Sequence, residues 1–228
     1  MTEEEVLGAV KELVAAGEYL DEIPGVPGAR LSGGGVFQDD RRLYVRGSPE
    51  HLEARSAGLT ERLPPLTPAK PEAVDEAERV IGFPLPGLLR RFYLGVGNGG
   101  FGPGYGILGV RGGHRDDLDG TAVDLYREWH ASGADARPLP DGLLPICHWG
   151  CGIYSFIDCA TDQAAMWACD PNPGVDDDLF REPMTFATWL ERWVQGTLHQ
   201  PAIIEDPNTG EWRPATDADW LEWAENEG

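Results

Sequence analysis

The chain has 228 residues, a formal net charge of −21 at pH 7 and 41 % hydrophobic residues, which indicates a folded acidic protein rather than a disordered one. An acidic surface repels phosphate groups, so this charge argues against binding to nucleic acid or to anionic membranes and favours a basic protein as partner. Since no apolar run approaches the roughly 20 residues of a membrane helix, and residues 3–5 are acidic where a secretory signal is basic, we predict a cytoplasmic protein with reduced cysteines.

The first part of the chain predicts a small mixed segment. Periodicity and turn residues indicate, in order, a helix, a Gly/Pro-rich loop, a short strand and the start of a second helix, at residues 3–16, 24–35, 42–46 and 48–50. Ser48 suits the N-cap of that second helix, with Pro49 at its first position. Prolines cluster between residues 63 and 71, and they mark the clearest boundary in the chain.

Two helices that meet at a corner are predicted after this boundary. Apolar residues share one face between residues 74 and 81, and Gly82 is a natural C-terminal stop. Pro84 and Pro86 force an extended backbone, after which residues 88–96 carry a second apolar stripe. A strand and a further helix are expected next, at residues 105–110 and 121–132.

The following segment predicts an antiparallel meander and a helix that docks on it. Three short apolar runs, separated by turn residues, predict strands at residues 143–148, 153–158 and 164–168. Thr185 can cap a final helix with a strong apolar stripe, and beyond it a hairpin turn and a terminal helix are expected at residues 206–210 and 217–227. This order predicts an α+β fold with a largely antiparallel sheet flanked by helices.

Four stretches carry a family pattern: residues 78–86 (ERVIGFPLP), 88–100 (LLRRFYLGVGNGG), 144–158 (LPICHWGCGIYSFID) and 186–196 (FATWLERWVQG). In this order and spacing they resemble the SUKH superfamily, named after fungal Smi–Knr cell-wall regulators and bacterial toxin-immunity proteins. The resemblance implies an α+β domain that binds other proteins. Its motif positions, all interpreted as packing or turn residues, are Gly82, Leu85, Pro86, Asn98, Gly99, Gly100, Trp149, Gly150 and Trp189.

The resemblance also implies a division of the chain into three parts. Residues 67–200 would form the SUKH-like domain, preceded by an N-terminal extension, residues 1–66, with a short helix, a strand and a helix. Residues 201–228 would form an acidic C-terminal extension that contains tryptophans.

Several patterns could indicate chemistry, but each has a simpler structural interpretation. Residues 95–100 match G-x-G-x-x-G, yet a helix precedes them where a dinucleotide loop needs a strand, so the glycines are expected to end that helix. The cysteine spacing lacks the paired knuckles of structural zinc sites, which favours packing roles for Cys147, Cys151, Cys159 and Cys169. No G-x-S-x-G elbow is present. The sequence predicts no catalytic residue, no metal site and no cofactor.

Acidic clusters and exposed tryptophans are the candidate partner-binding residues. The clusters Asp116, Asp117, Asp119 and Asp176, Asp177, Asp178 could hold a divalent cation, but solvated loops that steer a basic partner are favoured. Tryptophans beside acids suit a binding surface, although they could equally fold back over the core. The tail tryptophans are Trp212, Trp220 and Trp223.

The favoured function is a non-catalytic bacterial immunity protein that occludes a basic toxin domain, such as a nuclease. The alternative is a cytoplasmic regulator or scaffold of the same fold without a toxin partner. A third hypothesis, a metal-dependent enzyme, would use His114 with Asp116 and Asp117, or the cysteines.

Overall fold

The computed structural model of the protein describes residues 1–27, 37–38, 41–131 and 139–226. Within these ranges it contains helices and antiparallel sheets, which confirms the α+β class. The helices are α1 (Glu3–Ala16), α2 (Pro49–Ser56), α3 (Pro71–Ile81), α4 (Gly87–Gly95), α5 (Ala122–Ala131), α6 (Phe186–Val194) and α7 (Asp217–Asn226). The strands are β1 (Glu22–Pro24), β2 (Phe37–Gln38), β3 (Arg41–Val45), β4 (Leu143–Gly150), β5 (Ile153–Asp158), β6 (Ala165–Cys169), β7 (Leu179–Thr185), β8 (Ile203–Glu205) and β9 (Trp212–Pro214).

The central sheet is a four-stranded antiparallel meander in the order β4-β5-β6-β7. Side chains alternate between its faces, and on one face the ring of Trp129 from α5 packs against Tyr154 and Phe156 of β5. The helix α6 contacts β6 and β7 and buries Trp189 and Trp193. The predicted meander, and the predicted docking of its following helix, are therefore confirmed.

The N-terminal segment shares the main core. Val6, Leu7 and Val10 of α1 are buried in the same cluster as apolar residues of α3, α4 and α6. Arg46, at the end of β3, donates a hydrogen bond to the Trp193 carbonyl at 2.8 Å, and its guanidinium lies 4.7 Å from the centre of that indole ring. The small sheet β1-β3-β2 is thus fastened to the C-terminal end of α6.

A close backbone crossing joins α4 to the loop that leads into α5. The side chain of Asn98 accepts a hydrogen bond from the Val110 amide at 2.9 Å, and its amide nitrogen faces the Val110 and Arg111 carbonyls. Its own backbone N–H donates to the Thr67 carbonyl, and its carbonyl accepts from the His114 amide. The Asn98 side chain thus replaces strand partners that this irregular stretch lacks.

Glycines make this crossing possible. A Cβ on Gly109 would lie 2.4 Å from the Asn98 carbonyl oxygen, and one on Gly113 would lie 2.3 Å from it. The helix α4 ends at Gly95 with Val96 as its C-cap residue, so the prediction that positive-φ glycines end this helix is wrong. Gly99 and Gly100, with φ of +77° and +83°, instead form the turn that follows, and no helix begins there as a phosphate loop would need. We call Asn98, Gly99, Gly109 and Gly113 the Asn98 corner.

The remaining family motif positions have the following places in the fold. Leu85 and Trp189 are buried, Trp149 is half-buried, and Pro86 precedes α4 as its N-cap residue. Gly82 follows α3 and Gly150 ends β4, both with positive φ.

One predicted strand is absent from the structure, and one strand of the central sheet is not predicted from the sequence. Residues 105–110 form no strand: they run beside β4 with one isolated bridge, Ile107 to Cys147, because neighbouring glycines with positive φ interrupt the extended backbone. The strand β7 has no counterpart in the prediction, because Pro183 and its polar neighbours hide its pattern; a proline is tolerated there since β7 is an edge strand. Most of the predicted loop at 24–35 lies outside the described residues, and Glu22–Pro24 is a strand.

We expect Gly109→Ala to destabilise the protein by about 2–4 kcal/mol, because the new Cβ would overlap the backbone of the Asn98 corner. Gly8→Ala is the matched control: Gly8 lies in α1 with open space around it, and the change should stabilise the protein by about 0.5–1 kcal/mol. Urea unfolding of both variants measures the difference, and equal stabilities would contradict the role assigned to the crossing.

Candidate protein-binding surface

The predicted acidic loop at residues 116–120 is held rigid from within. Oδ1 of Asp116 accepts hydrogen bonds from the amides of Leu118 at 3.1 Å and Gly120 at 2.7 Å. Its Oδ2 accepts from the hydroxyl of Tyr154 at 2.9 Å, which ties the loop to β5. Asp116 is only 8 % exposed, so its carboxylate shapes the loop and has little contact with solvent.

This loop presents an apolar side chain between two acids. Leu118 is 79 % exposed, the largest exposed fraction among the large hydrophobic residues that the structure describes. The flanking carboxylates of Asp117 and Asp119 are mostly exposed, and Asp119 has φ of 68°, which turns the chain sharply back towards Gly120. Such a fixed apolar tip loses little conformational entropy when it is buried by a partner.

Aromatic side chains extend this surface. Nδ1 of His148 lies 3.2 Å from Oδ1 of Asp117, without the alignment of a hydrogen bond, and the buried His148 ring stacks on Tyr154 with centroids 4.5 Å apart. The ring of Tyr105 lies 5.4 Å from His148 and is 58 % exposed. We call Tyr105, Asp117, Leu118, Asp119 and His148 the Leu118 surface.

A wide cleft continues from Tyr105 towards the N-terminal segment. Its volume is about 780 Å³, and Trp149 and Trp193 line it together with Val45 and Arg46 from the first sheet. The N-terminal segment therefore supplies one wall of the concave surface that adjoins the loop, including the exposed side chain of Val45.

The second predicted acidic cluster lies at the same end of the central sheet. Cys169, the last residue of β6, pairs with Tyr154, whose hydroxyl binds Asp116. Asp176 and Asp177 follow in the β6–β7 connection and are exposed, whereas Asp178 is half-buried. The sequence could not show that both clusters lie at one end of the sheet, because this follows from the strand register.

Of the three tail tryptophans, Trp212 and Trp223 are exposed and Trp220 is half-buried. None of them belongs to the main buried cluster, and Trp212 is 47 % exposed at the start of β9. Trp220 stacks on His199 with centroids 5.2 Å apart and contacts Trp223 edge-on at 4.7 Å. The predicted 206–210 hairpin turn joins β8 to β9, and the tail is bonded to the rest of the chain through Asp170 with Ile203 and Arg192 with Asp217.

Two of the residues that the sequence suggests as metal ligands, His114 and Asp116, make contacts within the protein instead. Nε2 of His114 lies 2.8 Å from the Tyr105 carbonyl, while the Asp116 oxygens accept from the loop amides and Tyr154. Within the described ranges no group of three His, Cys, Asp or Glu side chains is placed to hold a metal ion. Burial raises the pKa of the Cys147 thiol well above its usual value and that of Cys159 to about 12, so both pack as neutral side chains.

Comparison with known protein families gives one match. Residues 68–192 match the SMI1 / KNR4 family (SUKH-1). No curated protein and no solved structure matches the chain. Among the described helices none is long and apolar enough to cross a membrane.

We expect Asp116→Ala to release the loop, because it removes the acceptor of two loop amides and of Tyr154. The protein should lose about 1.5–3 kcal/mol of stability, and amide hydrogen exchange at Leu118 and Gly120 should accelerate more than at β6. Asp162→Ala removes a carboxylate from an exposed turn and is the control. Unchanged exchange at Leu118 would show that Asp116 does not order the loop.

Proposed function

The chain belongs to the SMI1 / KNR4 family (SUKH-1), and from this premise we propose that it is a non-catalytic immunity protein that binds and occludes a basic toxin domain. The observation that carries the proposal is the Leu118 surface, where an exposed leucine on a rigid loop stands between two exposed carboxylates. The family resemblance points to protein recognition, and bacterial members of the SUKH superfamily are commonly immunity proteins.

The proposed mechanism has two physical steps. The net charge of −21 would attract a basic partner over long distances and speed its encounter, an effect that weakens as salt screens the field. Leu118 and Tyr105 would then be buried at the centre of the interface, with Asp117 and Asp119 pairing at its rim. Exposed apolar and aromatic anchors supply most of the binding free energy in such interfaces, whereas rim charges mainly set the association rate.

Binding of this kind blocks a toxin by covering its active surface and needs no catalytic group. We propose that the second acidic cluster, Asp176 to Asp178, steers the partner from the same end of the sheet. In this proposal the protein acts in the cytoplasm, and Trp212 and Trp223 provide a further contact area.

We expect Leu118→Ala to weaken partner binding at least tenfold, because truncating a hot-spot anchor costs about 2 kcal/mol or more, and about 1.4 kcal/mol already corresponds to tenfold. The partner is first captured at low salt from the native host on the immobilised full chain, and its affinity is then measured by calorimetry. Leu52→Ala is the matched control, since Leu52 is also exposed but lies on α2.

Co-expression separates an immunity protein from a regulator. The captured partner should inhibit growth when produced alone, and the wild-type chain, but not Leu118→Ala, should restore growth. Capture of no basic protein, or of a partner without toxicity, would overturn the proposed immunity function.

A further inference from the structure

A second cleft, separate from the Leu118 surface, lies between β7 and the C-terminal tail. Its volume is about 330 Å³, and its walls are largely apolar. They include Phe180, Met184, Leu198, Pro201 and the ring of Trp220. The only carboxylates among the described lining residues are Glu182 of β7 and Asp217 of α7.

Glu182 is half-buried, and one of its carboxylate oxygens is buried without a partner. Its Oε2 is shielded from solvent and makes no hydrogen bond to any described residue. Burial raises the pKa of Glu182 from 4.5 to about 7, because the charged form loses its hydration. An ionised oxygen that is buried without a hydrogen bond is costly for the fold, which makes Glu182 unlike an ordinary surface glutamate.

Three basic residues line the cleft beside Glu182, and the two arginines among them donate hydrogen bonds to other groups. Arg192 is near enough to lower the pKa of Glu182, but its guanidinium donates to Asp217 and to the Thr197 carbonyl. Arg181, next along β7, donates to Gln163. His199 lines the same cleft, and burial lowers its pKa, so it is uncharged near pH 7.

We propose that this cleft receives a lysine or arginine side chain of the partner protein and places its cationic group on Glu182. The apolar walls suit the aliphatic stem of such a side chain, while its charged end needs a carboxylate. The Trp220 ring adds a surface on which a cation is attracted to the aromatic face. The inference rests on the proposed function only in taking a basic protein as the source of the side chain.

Pairing with a cation should displace the proton of Glu182. Near pH 7 the group is about half protonated in the empty cleft, and the ionised form is the one that a cation stabilises. Binding of a basic side chain should therefore release a proton, whereas binding of a neutral side chain should not.

The test uses ¹³C NMR to titrate the Glu182 carboxyl in the full chain at constant ionic strength. The probes are the N-acetyl methylamides of lysine and arginine, with that of glutamine as the neutral comparison. We expect a saturating basic probe to lower the pKa of Glu182 by at least one unit, equivalent to tenfold tighter binding to the ionised form. Glu182→Gln should weaken binding of that probe at least tenfold, and Glu53→Gln, an exposed change of equal charge, should not.

An unchanged pKa, or equal binding of the glutamine probe, would overturn the assignment. Failure of the site and failure of the proposed function can be told apart. If the basic probes bind but the native host yields no protein partner, the cation site stands and the immunity function is contradicted. If a partner is captured but binds Glu182→Gln as tightly as the wild type, only the cation site is contradicted.

The pH dependence of the free energy of unfolding tests the raised pKa of Glu182 independently. Because the folded-state pKa of Glu182 is raised, its stabilising contribution is complete below about pH 4.5 and is lost as pH rises through about 7. Glu182→Gln should therefore have the same stability as the wild type near pH 4.5. At pH 8 its equilibrium constant for unfolding, measured with urea, should be at least tenfold smaller than that of the wild type. An equal or lower stability of the variant at pH 8 would contradict an uncompensated charge.

Discussion

The backbone crossing at Asn98 is the constraint on which the rest of the structure depends. Two segments approach so closely there that Gly109 and Gly113 have no room for a side chain. The amide of Asn98 satisfies backbone groups that neither a helix nor a strand serves. Since the chain leaves this corner directly into the acidic loop and then α5, the corner determines where Leu118 is presented.

A chain of hydrogen bonds transmits this rigidity to the surface. Tyr154 of β5 holds Asp116, and Asp116 holds the amides of Leu118 and Gly120, so the loop is anchored on the central sheet. One carboxylate of the acidic cluster is thus consumed in building the loop, while Asp117 and Asp119 remain exposed. Because Asp116 orders the loop, this acidic run can present the apolar side chain of Leu118 in a fixed position.

Much of this architecture can be predicted from local patterns. The capping residues Ser48 and Thr185, Gly82 after α3 and the apolar stripe of α6 each mark an element where the structure has it. The strand β7 could not be predicted, because Pro183 and its polar neighbours match an edge strand only once the sheet is known. The same is true of the candidate sites: acidic residues are visible in the sequence, but the burial of Asp116 and the isolation of Glu182 arise from tertiary packing.

The contact between Arg46 and Trp193 of α6 also bears on which fragments of the chain can fold. The family match begins at residue 68, but Val6, Leu7 and Val10 of α1 cover apolar faces of the matched region. A fragment trimmed to residues 67–200 would expose these apolar faces to water and lose the guanidinium that binds the Trp193 carbonyl. The boundaries of the family match therefore do not coincide with the boundaries of the hydrophobic core, which includes residues of α1.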